Sequence, residues 1–262
     1  MVLGLKWVPL ATRNRFPRKT SPQNQLAPAA IAGQSAIGVK SRNNMSSALI
    51  SSEELEIGAA LLAWTKTYLM GEQTKINRPC GSQAVCPFVE ASLRGNALYM
   101  VFHSEIMGRE IEPIIELVRS YSSEFIGPCG DPEGARNPYK ALLIVFPRLL
   151  ATNYTRLDVV QERAKDQMVE KGLMIGQFHP QCRTPAVHNL AWRGVSVAPY
   201  PFIAMRNMVV HDILFLNSRR NWFLAYHERY GAKLDRPNAA TTHSSYLVET
   251  YKEAKAKFGG PE

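Results

Sequence analysis

Apolar residues recur along the chain with two different periods, and the alternation between them predicts an α+β or α/β fold with a mixed sheet. From Ser51 to Gly71 (SSEELEIGAALLAWTKTYLMG) Leu55, Leu62 and Leu69 return every seven residues, with Leu61, Trp64 and Tyr68 beside them. That spacing predicts a helix with a broad apolar face. Ser51 and Glu54 stand at capping-box spacing and Gly71 ends the run. Four short apolar runs read instead as buried strands: ALYMVFH (97–103), ALLIVFP (141–147), LMIGQF (173–178) and PFIAMRNMVV (201–210). Between and after them lie helical patterns at 109–125, 156–172, 217–231 and 244–260. About four core strands with helices packed on them predict one domain over 49–262.

Composition matters through where the charge sits. The net charge of +9 suggests a polyanionic partner, but residues 1–52 hold seven basic and no acidic groups, leaving 24 basic against 22 acidic in the rest. Phosphate affinity needs a basic surface held by the folded body, so the near-neutral body predicts no nucleic-acid partner. Segment 1–48 reads as a disordered basic extension, either a transit peptide or translation from an early start codon with Met45 as the true beginning. A transit peptide would send the protein to mitochondria; otherwise a soluble cytoplasmic protein is expected. No apolar run reaches membrane-spanning length, so no membrane partner is expected. Cys80, Cys86, Cys129 and Cys182 do not form the two close pairs of a structural zinc site.

Phosphate-loop and dinucleotide glycine motifs, the nucleophile elbow and H-E-x-x-H do not occur. The chemistry concentrates in three segments: Cys86-Pro87-Phe88, His179 to Arg183 (HPQCR) with His188 beyond, and Arg206 to Asp212 (RNMVVHD). Histidine ligates metals or moves protons near neutral pH, arginine grips carboxylates at two points, and thiolate is a soft ligand or nucleophile. His179, Arg183, His211 and Asp212 are the candidate catalytic groups. His179 closes one predicted strand and Arg206 with His211 closes another, so the expectation is that they face one another across a pocket at the strand ends. Arg206 and Asp212 also have structural readings, as an ion pair and as a turn cap.

The blocks CPFVEASL, GLMIGQFHP with Arg183 and His188-Asn189, and PYPFIAMRNMVVHDILFL resemble an uncharacterised family that recurs among tailoring genes of microbial secondary-metabolite pathways. More distantly, Cys86, His179, Pro180 and Arg183 are similar to positions in haem-dependent guanidine and amine N-oxygenases. That resemblance implies a small-molecule substrate and haem between sheet and helices. His179 or His188 would be the axial metal ligand, Arg183 and Arg206 would lie at the propionates, and Cys86 would stand close by. The same residues also suit an acid–base isomerase, cyclase or hydrolase acting through His179 or His211, or a non-enzymatic accessory protein. A homodimer is compatible with every reading.

Overall fold

A computed structural model of the protein describes residues 50–78, 81–127, 137–187 and 189–260, with 72–78 and 81–83 as backbone alone, and the backbone of Val8–Pro9. Cys80, Cys129, His188 and nearly all of the basic segment lie outside the described residues.

The fold is α+β. Its sheet contains β1 (Leu98–Phe102), β2 (Ala141–Val145), β3 (Leu173–Phe178) and β4 (Phe202–Asn207). The spatial order is β1-β2-β4-β3, with Val8–Pro9 making a two-residue antiparallel bridge on the outer edge of β1. β1 and β2 are parallel, and β4 runs antiparallel to both β2 and β3. The last strand of the sheet in sequence is thus inserted between its two predecessors.

Each strand is apolar on both sides because helices or loops cover both faces. On the first face Val101, Leu142, Ile144, Ile175, Ile203 and Met205 pack against α2 (Glu112–Ile126) and α3 (Arg156–Glu170). These helices contribute Ile114, Val118 and Tyr121, and Leu157, Val160, Ala164 and Met168. The α3 residues follow the spacing expected of one buried side, leaving Asp158, Gln161, Glu162 and Lys165 as a neighbouring polar stripe. Helices α4 (Arg220–Leu234) and α5 (Ser245–Phe258) form a second core around Phe223, Tyr226 and Tyr251.

The other face is covered by α1 (Ser52–Trp64), capped as anticipated by the reciprocal Ser51–Glu54 bonds. Of the seven-residue leucine stripe, Leu69 alone is buried. Leu55 is 60% exposed, while Ile57, Leu61, Thr65 and Leu69 point inward. A repeat of four drifts off one side of an α-helix, and the chain keeps it in phase by widening into a π turn over Thr65–Leu69, closed by Met70 N–H to the Thr65 carbonyl at 3.2 Å.

Candidate functional site

Strand register decides which of the candidate residues meet. Phe178 pairs with Phe202 and Met174 with Arg206, so His179 and Arg206 sit at opposite ends of the sheet. Four residues of extended chain between those pairs make about 14 Å at ~3.4 Å per residue. The expected convergence of His179 with Arg206 and His211 does not occur. Because β4 is antiparallel to β2 and β3, its carboxyl end lies at their amino ends.

The amino end collects two of the three segments. Arg206 donates from both terminal nitrogens to Asp212, at 2.7 and 2.5 Å, and Asp212 is 1% exposed. Asp212 also accepts the Val209 N–H at 2.8 Å, which caps the turn that follows β4. Burial would lower the Arg206 pKa, but Asp212 outweighs it and raises it further. Phe88 lies 5.7 Å from the Arg206 guanidinium and edge-on to His211, which brings Cys86-Pro87-Phe88 to this corner. The arrangement is a closed ion pair, so the structural roles foreseen for Arg206 and Asp212 are the ones they occupy.

The carboxyl end holds the third segment with a partner the pattern did not announce. After β3, Pro180 enters the second position of a turn that returns the Cys182 N–H to the His179 carbonyl at 3.1 Å. Cys182 is thereby folded back over His179. The His179 ring is fully buried, and its Nε2 donates to Asp158 Oδ1 on α3 at 3.2 Å; the Asp158 side chain is 41% exposed. Nδ1 is buried without a hydrogen-bond partner. Cys182 Sγ donates to Thr184 Oγ1 at 3.3 Å, and Gln177 Nε2 donates to that same hydroxyl at 2.9 Å.

Charge follows from this contact set. Burial opposes an imidazolium, but the proximity and negative charge of Cys182 and Asp158 prevail, and the His179 pKa is raised. Burial likewise opposes a thiolate at Cys182, yet the nearby His179 ring and the Thr184 hydrogen bond prevail and its pKa is lowered. Oxygen, nitrogen and sulfur donors of Asp158, His179 and Cys182 lie within 4.8 Å of one another, the one such trio among the described residues. It is a donor set that zinc-type cations accept. With Nε2 committed as a donor to Asp158, however, the ring is arranged for proton handling rather than for ligation.

Asp158 opens onto a cleft of about 420 Å³ whose walls include Lys165, Gln177, Arg183, Arg219 and Trp222. Arg183 is exposed there, and the Cys182 thiol stays behind Thr184 with 3% of the residue accessible. Asp158, Lys165, Arg219 and Trp222 were not among the sequence candidates. The polar stripe of α3 was the signal for Asp158 and Lys165; nothing local marked Arg219 or Trp222. A haem on His179 does not fit this corner, since the ring is enclosed and its Nε2 is bonded to Asp158.

Among the described residues no helix is long and apolar enough to cross a membrane. No curated protein and no solved structure matches the chain. Residues 58–241, well over half of the sequence, match the model of a family described as a domain of unknown function, DUF6875, and the chain belongs to that family.

Proposed function

We propose that the chain is an enzyme of small-metabolite tailoring, of the kind found in secondary-metabolite pathways, that moves a proton on a molecule bound in the α3 cleft. Asp158 takes or returns that proton at the cleft wall. His179, behind it, holds a compensating positive charge, and Cys182 sets the protonation of His179. The observation that carries this is the His179 Nε2–Asp158 Oδ1 bond at 3.2 Å, which joins a fully buried base to a carboxylate facing a metabolite-sized opening. Isomerisation, cyclisation and hydrolysis all use such a pair.

The test is to incubate purified protein with a small-molecule extract in heavy water and follow masses by chromatography and mass spectrometry. Conversion or deuterium uptake by the wild type, lost in Asp158→Asn, is the expected result. No change over heat-treated protein, or full conversion by Asp158→Asn, sinks the reading.

A haem-dependent oxygenase is the second reading, and one feature favours it away from His179. On the α1 side of the sheet, Gly176 and Ala204 are register partners, leaving low ground beside the half-buried rings of Trp64, Tyr68 and Phe178. Cys86, whose backbone N–H bonds the Leu69 carbonyl next to Tyr68, would offer a ligand atom, whereas Arg206 is already engaged by Asp212. Bound there, haem would supply oxygen activation at iron. Haemin titration should give a Soret band that shifts in Cys86→Ala; a colourless mixture rejects it.

A further inference from the structure

We propose that the far end of the α3 cleft is an oxyanion subsite, in which Lys165 and Arg219 receive the carboxylate or phosphate of the molecule whose proton Asp158 handles. The location of the reacting atom rests on the acid–base reading; the binding of the anion does not.

Lys165 Nζ lies 3.9 Å from the centroid of Trp222 and the Arg219 guanidinium 4.5 Å from it, so one ring holds two cations close together. Trp222 is fixed in turn by donating Nε1–H to Asp166 at 2.6 Å. The charges are poorly neutralised. Arg219 reaches Glu162 and Asp166 only at 3.8 and 3.7 Å, through side chains that are all about half exposed or more. Lys165 bonds a neutral acceptor, the Phe215 carbonyl, at 3.3 Å. Burial and the neighbouring Arg219 lower the Lys165 pKa to about 8, against the smaller opposing pull of Asp212 and Asp166.

A ligand oxyanion would relieve this repulsion, since among the described residues neither cation has a carboxylate within hydrogen-bond distance. The helix supplies the ruler. Asp158 and Lys165 are seven residues apart, about two turns, or roughly 10 Å along the axis at ~1.5 Å per residue. The substrate class is therefore a small acid whose oxyanion and proton-exchanging centre are several bonds apart.

Lys165 itself reports occupancy. Purified protein is treated at about pH 8, near the Lys165 pKa, with an amine-acylating reagent. The peptide containing Lys165 is quantified with inorganic phosphate, with succinate, or with chloride at equal ionic strength. Phosphate or succinate should slow acylation about tenfold at ten times its dissociation constant. Protection should vanish in Arg219→Ala, return in Arg219→Lys, and persist in Asp158→Asn; circular dichroism verifies that each variant is folded. Preference between the two probes identifies the anion. Protection no greater than with chloride, or unchanged in Arg219→Ala, overturns the proposal. Loss of turnover in Asp158→Asn with protection intact supports both readings. Protection without any turnover in the wild type leaves the subsite standing and removes the acid–base reading alone.

Discussion

At the amino end of β2 the chain sets Arg206 against Asp212, and at its carboxyl end it sets His179 against Asp158. The first pair has two short bonds and a buried carboxylate that also caps a turn. In the second pair the base is buried, the acid is 41% exposed, and one ring nitrogen lacks a partner. A saturated pair stabilises a fold and has no valence left for a ligand. The unsaturated pair leaves one buried nitrogen without a partner and keeps its carboxylate available, which is why the candidate site belongs there.

Removing one member of each pair should separate the two roles. Asp212→Asn leaves the guanidinium of Arg206 without its counter-charge and should cost about 3–5 kcal/mol in urea unfolding. The double variant Arg206→Met/Asp212→Leu should recover much of that loss. A small cost for Asp212→Asn alone would show that the two ends do not differ as described. Asp158→Asn keeps an acceptor for the buried ring but removes its counter-charge; it should cost about 1–3 kcal/mol, less than Asp212→Asn, yet lower turnover about a hundredfold or more.

Acidity sharpens the contrast. The raised pKa of His179 adds stability that is fully present below the ordinary histidine value and is lost as pH rises through the folded value. The lowered pKa of Cys182 adds stability that is present above the ordinary thiol value and is lost as pH falls through the folded value. Cys182→Ser deletes the second contribution. Its deficit in urea midpoint relative to wild type should therefore widen from about pH 6 to about pH 9. A constant deficit would mean that the thiol stays neutral. The smallest effect is expected of Thr184→Val, which removes a hydroxyl accepting from both Cys182 and Gln177 and should cost about 1 kcal/mol.

Local patterns in the sequence carried the elements, since burial imposes its period on neighbouring positions. All four core strands and the helices around Pro113, Asp158, Trp222 and Leu247 lie where the apolar spacing places them. Leu61 and Leu69 face inward as the spacing places them, but Leu55 does not, because a heptad count assumes a regular helix and the π turn changes the phase. The site was half legible. His179, Cys182 and Arg183 stood out by residue type, but Asp158 lies 21 positions earlier on α3 and becomes a partner only when that helix packs beside β3. Arg206 was assigned to the wrong end because residue order does not state strand direction. A strand returning antiparallel through the middle of the sheet carries its terminal residues away from those of its neighbours.

That central strand also governs how the chain can assemble. β2 and β3 make no ladder with each other; both pair with β4, whose last residue is Asn207. While the protein is being synthesised, everything up to Pro201 can leave the ribosome with the inner edges of β2 and β3 still open. Both edges are ready to pair with another nascent chain until six more residues emerge and join them.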